Sequence, residues 1–410
     1  MNFKDVLYKR LERYVKIDTQ SDETSDTFPS TKKQFDLLKL LCGELKEIGA
    51  EDIVMDEYGY VSATVPATVK EKKPVIGFLA HVDTAPDASG KNVIPKLHRA
   101  WKGGDIIISE KDKVTLNEKN CRELGLCSGH DIVTASGDTL LGADDKAGAA
   151  IIMTAAEYLL KNKDIKHGKI RIGFTPDEEI GRGVDHFDVG KFAADYAYTV
   201  DGDLPGTCEM ETFNADSIKI RIKGKNVHPG SAKGTMANSV RIAADIVASW
   251  PENHLPETTA DRDGFIMFSE IKGETEQAEL NGIAREHDLE KLKGMEKLLG
   301  AIIAEKRVKY PIAEIELTIK EQYRNMVEII KRHPRLMENL KKAIREAGLD
   351  PLVKPVRGGT DGARLSFMGL PTPNIFTGGF NYHGRYEWIS LDGMNKSAEV
   401  LINLAKNWAE

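Results

Sequence analysis

The feature that most constrains the fold is a repeated pattern in which a short apolar run ends at a histidine or an acidic residue. The clearest cases are residues 75–80 before His81, residues 169–174 before the acidic turn 177–179, and residues 196–200 before Asp201. Each run has the length of a buried strand, and segments of helical period lie between the runs. Alternating strands and helices predict an α/β fold with a mostly parallel sheet and helices on both faces.

Ligands of such sheets bind outside the carboxyl ends of the strands, so the polar residues that follow the runs are expected at one edge. A later run at residues 374–377 leads through a Gly- and Asn-containing turn to His383. Asp144 and Asp145 stand at the start of a predicted helix over residues 146–161, where carboxylates are favoured as caps and by the helix dipole. Capping explains one of these two carboxylates, because a cap needs only one.

The order of predicted elements indicates two domains. A chain of 410 residues is longer than a single core usually accommodates. Residues 208–320 follow the order β-α-β-β-α-β, a split βαβ pattern that can form a compact α+β domain. The parallel-sheet pattern resumes afterwards. We therefore predict a catalytic domain of residues 1–207 and 321–410, with residues 208–320 inserted as a lid or dimerisation domain.

Composition excludes several classes of protein. The net charge is -7 and no block of Lys and Arg is present, which argues against a nucleic-acid partner. No apolar run is long enough to cross a bilayer, so no membrane association is expected. The first residues form an amphipathic helical pattern without the apolar core of a signal peptide, and a cytoplasmic location is expected. The four cysteines are irregularly spaced, which favours free thiols.

A set of histidine and carboxylate ligands without cysteine is suited to binding Zn²⁺, Co²⁺ or Mn²⁺. A pair of cations also needs a carboxylate that bridges them. Asp144 suits that position, because its side chain is short and a helix start would hold it. His81 and Asp201 would then complete one metal site, and Glu179 and His383 the other.

Two further acidic residues have predicted roles beside the metals. Asp83 lies two residues after His81 and is placed to accept the imidazole N–H, which would orient the ring. Glu178 is adjacent to a ligand but points away from it, so it can act as general base toward a water whose pKa the cations lower to about 7. Taken singly, each of these residues could instead be an ordinary surface, turn or capping residue, and only the combination favours a metal centre.

Four segments together resemble the M20 co-catalytic metallopeptidases. They are His81-Val82-Asp83, Gly142-Ala143-Asp144-Asp145-Lys146, Asp177-Glu178-Glu179-Ile180-Gly181 and Asn381-Tyr382-His383-Gly384. The resemblance extends over nearly the whole chain, including the insertion. It implies two Zn²⁺ per subunit, with Co²⁺ or Mn²⁺ as substitutes, and a cis peptide bond after Asp144.

The activity that the resemblance implies is that of an aminopeptidase on short peptides, above all tripeptides. A hydroxide bridging the two metals would attack the peptide carbonyl, with Glu178 as general base. The alternatives within the same group are a dipeptidase, a carboxypeptidase and an N-acyl amino-acid deacylase. A further alternative is a non-catalytic protein that binds peptides.

For the inserted domain, the resemblance implies three substrate-binding residues. His228 would stabilise the tetrahedral oxyanion, and Arg285 would bind the terminal carboxylate of the peptide, a task that suits a fork-shaped guanidinium. Arg357 is a further candidate for contact with a substrate carboxylate or carbonyl. His228 as a turn residue and Arg285 as part of a surface ion pair are the alternatives. The resemblance is also compatible with a homodimer that pairs through the insertion, with His228 acting across the interface.

Overall fold

A computed structural model describes residues 1–410. The helices are α1 Lys4–Val15, α2 Gln34–Ile48, α3 Ala143–Lys161, α4 Val189–Phe192, α5 Ser239–Ala248, α6 Leu289–Lys309, α7 Val327–Ile330, α8 Pro334–Glu346, α9 Asp361–Phe367 and α10 Leu391–Asn407. The first nine strands are β1 Glu51–Met55, β2 Val61–Val65, β3 Ile76–His81, β4 Lys96–His98, β5 Ile106–Ser109, β6 Val114–Leu116, β7 Ile132–Thr134, β8 Ile170–Thr175 and β9 Tyr196–Gly202. The other nine are β10 Thr207–Glu209, β11 Asn214–Lys223, β12 Phe265–Gly273, β13 Gln277–Glu286, β14 Glu314–Tyr323, β15 Leu352–Val353, β16 Asn374–Phe376, β17 Gly379–Phe380 and β18 Trp388–Ser390.

The chain separates into two compact units. One contains Met1–Met210, Met326–Lys354 and Thr360–Glu410, and the other contains Glu211–Asn325 with Pro355–Gly359. The domain limits expected after residues 207 and 320 stay a prediction. No helix combines the length and the hydropathy that a membrane crossing requires. All four cysteines are free thiols, as expected.

The large unit is built on a mixed eight-stranded sheet in the order β1-β2-β8-β3-β9-β16-β10-β15. Its four central strands, β8, β3, β9 and β16, are mutually parallel, which confirms the α/β prediction. Antiparallel pairs join β1 to β2, β2 to β8 and β16 to β10. Every residue of β3 and β8 is buried, as expected for strands covered on both faces.

The parallel register brings the polar ends of the central strands together. His81, the last residue of β3, is paired with Thr175, the last residue of β8. Asp201 lies next to the end of β9, which is the parallel neighbour of β3 on its other side. The ends of three parallel strands therefore meet at one edge of the sheet.

Helix α3 packs so closely on the sheet that one of its positions requires glycine. A Cβ at Gly148 would lie 2.0 Å from the carbonyl oxygen of Val200 and 2.3 Å from a carboxylate oxygen of Asp145. Neither contact can relax through a flexible side-chain end, because one partner is backbone and the other is a buried group. The close approach holds the start of α3 against the strand that carries Asp201.

We expect Gly148→Ala to reduce the free energy of unfolding by about 3 kcal/mol, the upper range for overpacking a buried position. Thermal or denaturant unfolding measures the change. The matched control is Gly43→Ala in α2, where an added Cβ has no atom within 4 Å. That substitution should be neutral or slightly stabilising, because alanine is the better helix former. Equal stability of both variants would contradict the close packing of α3.

The second unit has an antiparallel four-stranded sheet in the order β12-β13-β11-β14. Helices α5 and α6 pack against it and enclose its own apolar core, which includes Ile220, Leu280 and Leu299. Along the chain its elements follow the predicted β-α-β-β-α-β order. Two small sheets, β17-β18-β7-β4 and β5-β6, belong to the large unit.

Candidate metal centre

Asp144 lies between two histidines at the edge of the large sheet. Its Oδ1 is 2.9 Å from Nε2 of His81, and its Oδ2 is 3.3 Å from Nε2 of His383. The two imidazoles come from the end of β3 and from the turn after β17. The bond between Asp144 and Asp145 is a cis peptide, as the resemblance implied. One carboxylate thus faces both histidines, the arrangement expected of a bridging ligand.

Glu179 lies beside His383, and Asp201 lies beside His81. Oε2 of Glu179 is 2.9 Å from Nε2 of His383, and Oδ1 of Asp201 is 3.7 Å from Nε2 of His81. Two sets of three ligand atoms lie within 4.8 Å of one another. The sets are His81, Asp144 and Glu179, and His81, Asp145 and Asp201. All five predicted ligands therefore meet in one cluster.

Asp145 is a member of the cluster that was not predicted as a ligand. Its Oδ1 accepts a hydrogen bond of 3.1 Å from the amide of Gly148, and its Oδ2 accepts one of 3.2 Å from the amide of His81. The carboxylate is fully buried. The capping role therefore belongs to Asp145, which leaves Asp144 free to face the histidines.

The two histidines are surrounded by negative charge. Burial opposes protonation of His81, but the neighbouring carboxylates of Asp144, Asp201 and Asp83 hold its pKa well above the usual value. Hydrogen bonds to Asp144 and Glu179 raise the pKa of His383 to about 11. Both rings therefore lie where a positive charge is strongly favoured.

The carboxylates of the cluster carry more negative charge than the two histidines can balance. Burial and the nearby Asp144 raise the pKa of Glu179 to about 8, and burial raises that of Asp201 to about 6. Oε1 of Glu179 is buried and has no hydrogen-bond partner. An orphaned carboxylate oxygen beside an excess of acidic groups fits a site for cations, since buried charges are normally paired or coordinate metals. The His and carboxylate donor set is of the kind that holds Zn²⁺.

Asp83 has more partners than the predicted contact with His81. Its Oδ1 is 3.4 Å from Nδ1 of His81, but the closer partner of that nitrogen is the backbone oxygen of Asp83, at 3.1 Å. The carboxylate also accepts hydrogen bonds from the amides of Glu178, at 2.9 Å, and Glu179, at 3.2 Å. Asp83 therefore connects the loop after β3 to the acidic turn after β8.

Glu178 and Glu179 direct their carboxylates to different histidines. Oε2 of Glu178 is 4.0 Å from Nε2 of His81, whereas Glu179 contacts His383. Burial, together with the charges of Asp201 and other carboxylates, raises the pKa of Glu178 well above the usual value. Glu178 thus lies beside the cluster with a carboxylate that binds a proton readily.

A buried hydrogen-bond network that sequence reasoning missed holds Asp177, the first residue of the acidic turn 177–179. Asp177 adopts a left-handed conformation with φ of 57°, and its carboxylate accepts bonds from the Ser30 amide and hydroxyl and from the Gln34 side-chain amide. The Gln34 side-chain oxygen accepts the Asp177 amide at 3.1 Å. No sequence signal marked Ser30 or Gln34, because both lie more than a hundred residues earlier in the chain.

Asp361 is a second residue that sequence reasoning missed. It begins α9 and accepts a hydrogen bond of 2.7 Å from the hydroxyl of Thr175 at the end of β8. Burial raises its pKa to about 7, and its charge contributes to the raised pKa of Glu178. The available signal was its place in the Arg-Gly-Gly-Thr-Asp-Gly loop, in which only Arg357 was predicted to be a site residue.

The three predicted substrate-binding residues lie in the second unit. His228 is exposed, and its Nδ1 accepts the amide of Gly230 at 3.1 Å. The guanidinium of Arg285 lies 4.9 Å from the centre of the Tyr323 ring, and it also hydrogen-bonds the Tyr323 hydroxyl. Their substrate contacts stay a prediction.

Arg357 is already engaged inside the second unit. Its guanidinium lies over the rings of Phe213 and Phe265, at 5.3 and 5.8 Å, and donates to the carbonyl oxygens of Asp261 and Asp263. A further bond reaches the hydroxyl of Thr259, at 3.1 Å. These contacts give Arg357 a structural role whether or not it also meets a substrate.

Comparisons with known proteins agree with the fold. The profile of the family described as "Peptidase family M20/M25/M40" matches residues 140–407, and the chain belongs to this family. It is therefore a peptidase. Among its relatives is peptidase T of Clostridium perfringens strain SM101, 50% identical over 404 residues, which are 98% of this chain and 99% of that protein. Peptidase T of Bacillus subtilis strain 168 is 47% identical over 405 residues, 99% of each chain.

Solved structures show the same fold at low sequence identity. The aminopeptidase PepT from Bacillus cereus matches with a TM-score of 0.76 at 21% identity, over 99% of each chain. A dinuclear metal-binding peptidase of the M20 family from Bacillus subtilis matches with a TM-score of 0.64 at 15% identity, over 98% of each chain. These likenesses support the mixed α/β architecture described above.

Proposed function

We propose that the chain is a dinuclear zinc aminopeptidase that releases the N-terminal residue from short peptides, above all tripeptides. The observation that carries the proposal is the position of Asp144, whose two carboxylate oxygens face His81 and His383 at 2.9 and 3.3 Å. The peptidase T relatives, which match over nearly the whole chain, support a peptide as the substrate.

The chain's own residues would hold two cations. His81 and Asp201 would bind one, Glu179 and His383 the other, and Asp144 would bridge them. Asp145 caps α3 with one oxygen and lies within reach of the first site. Bound Zn²⁺ lowers the pKa of water toward about 7 and polarises a carbonyl oxygen, so that hydrolysis can run near neutral pH.

Glu178 would move the proton. In our proposal it accepts a proton from the attacking water and passes it to the nitrogen of the leaving peptide. Its burial and raised pKa support this role, because a carboxylate that binds a proton readily can both accept and return it. Asp83 would keep the base in place through its bonds to the amides of Glu178 and Glu179.

Residues of the second unit would bind the rest of the peptide. His228 would stabilise the tetrahedral oxygen, and Arg285 would pair with the terminal carboxylate; Arg357 is the weaker candidate because its donors already have partners. We also propose a cytoplasmic enzyme that can form a homodimer through the inserted domain.

Side-by-side hydrolysis of three substrates tests the proposed activity. A tripeptide, its N-acetylated form and the corresponding dipeptide would each be incubated with zinc-loaded protein, and the products would be separated by chromatography. We expect the tripeptide to lose its N-terminal residue and the acetylated form to resist. Turnover of only the acetylated peptide would indicate a deacylase, and turnover of only the dipeptide would indicate a dipeptidase. Release of the C-terminal residue would indicate a carboxypeptidase.

A further inference from the structure

Glu387 is a buried carboxylate in the large unit that the proposed mechanism leaves without a role. Only 1% of its surface is exposed. It lies four residues after His383, immediately before β18. A buried carboxylate is costly unless its oxygens are fully satisfied, so its partners indicate what it does.

All of its hydrogen-bond donors are backbone amides at the start of α3. Its Oε2 accepts the amides of Leu141, at 2.7 Å, and Gly142, at 2.8 Å, and its Oε1 accepts the amide of Asp144, at 3.1 Å. Helix N-termini have free N–H groups and a partial positive charge, which favour a carboxylate. Both oxygens are therefore fixed by one short segment that ends at Asp144.

The other side of Glu387 is anchored in a rigid part of the fold. Its own amide donates to the carbonyl oxygen of Gly384 at 3.1 Å, which closes the turn directly after His383. The next residue, Trp388, is fully buried and stacks on Phe380 with ring centres 4.7 Å apart. Strand β18 then pairs with β7. By contrast, 45% of the His383 side chain is exposed, so the ring itself has little packing to hold it.

We infer that Glu387 is a positioning residue that joins the segments carrying Asp144 and His383 and holds them at metal-binding distance before any cation arrives. In this role Glu387 would not touch the substrate or the metals. It would position Asp144 through hydrogen bonds to three backbone amides. It would position His383 through the short stretch of chain that joins the two residues. This inference rests on the proposed metal centre and adds a residue to which no role was assigned there.

The inference makes a specific prediction for Glu387→Gln. The remaining side-chain oxygen can still accept the amides of Leu141 and Gly142, but the new NH₂ group would then face the N–H of Asp144, and two donors cannot bond. The amide of Asp144 would lose its partner. Outer-shell partners of metal ligands typically contribute about 10–100-fold to metal affinity. We expect the zinc affinity of the variant to fall by about that factor.

The measurement is zinc affinity by competition with a chromophoric chelator, combined with amide hydrogen exchange of the peptide covering residues 140–145. The matched control is Glu399→Gln, another buried glutamate of the large unit, which accepts from the N-terminus, Asn395 and Lys396. We expect the control to bind zinc as the wild type does. In metal-free wild-type protein the 140–145 amides should exchange slowly, and in Glu387→Gln at least about tenfold faster.

Two results would overturn the inference. One is a Glu387→Gln variant whose zinc affinity equals that of the control, and the other is fast exchange of residues 140–145 in the metal-free wild type. If the variant does not fold, the exchange of the wild type decides alone. Wild-type protein that binds no zinc would refute the proposed metal centre instead, which distinguishes that failure from failure of the role of Glu387.

Discussion

Glu178→Gln should lower kcat by about 10²–10⁴-fold, the usual contribution of a positioned general base. The glutamine amide has almost the same shape as the carboxylate but cannot accept the proton. Glu178 is not among the proposed ligands, so zinc content should stay at the wild-type value and KM should change little. Steady-state kinetics on a tripeptide and metal analysis of the same sample provide the measurement.

The control for this variant is again Glu399→Gln, which makes the same chemical change at a buried position away from the cluster. Its kcat should match that of the wild type. A Glu178→Gln enzyme that keeps more than about a tenth of the wild-type kcat would contradict the role of Glu178 as base, since even a modest base contributes more than that. A variant that loses zinc would instead show that Glu178 is a ligand.

Asp144→Asn should have an equally large effect through a different cause. The asparagine has one oxygen and one NH₂ group, so it can no longer offer an acceptor to both metal sites. Loss of even an outer-shell partner weakens metal binding by about 10–100-fold, so loss of the bridging carboxylate should exceed about 100-fold. We expect zinc content to fall and tripeptide hydrolysis to drop to background. Metal analysis after dialysis measures the first effect.

A matched aspartate at another helix start serves as control. Asp188 caps α4 by accepting the amide of Lys191 at 2.9 Å, and it is exposed. Asparagine caps helices as well as aspartate does, so Asp188→Asn should keep wild-type stability, zinc content and activity. If Asp144→Asn also kept its full zinc content, Asp144 would be no more than a helix-start residue and the proposed bridge would be wrong.

The centre of the fold could be predicted because its strands have a strong local signal. The apolar runs before His81 and Asp201 are long enough to be buried strands, and alternation with helices then determines their parallel arrangement. The short strands at the flank of the sheet had no such signal. Strand β10 has three residues and β15 has two, so their pairing depends on contacts that no short segment reveals.

The cluster of histidines and carboxylates was predictable for a different reason. His81, Glu179 and Asp201 lie at or just beyond the ends of three parallel strands, and parallel strands bring their ends together whatever lies between them in the sequence. The sequence could not decide between Asp144 and Asp145 as the cap of α3. That choice depends on backbone geometry at the start of α3, where Asp145 reaches the amides of His81 and Gly148.

The supporting residues were beyond sequence reasoning. Glu387 contacts Asp144 across 243 positions of the chain, and Gln34 contacts Asp177 across 143. Both are polar residues in segments that resemble ordinary turns or helix surfaces. Only the assembled tertiary structure shows that each of them is buried and bound to a loop of the cluster.

The most direct test of the account is anomalous diffraction from crystals soaked in zinc, recorded on both sides of the zinc absorption edge. The account predicts two peaks roughly 3.5–4 Å apart, as in other two-metal sites, with the carboxylate of Asp144 between them. His81 and Asp201 should flank one peak, and Glu179 and His383 the other. No peak among these residues, or a single peak that Asp144 does not contact, would contradict it.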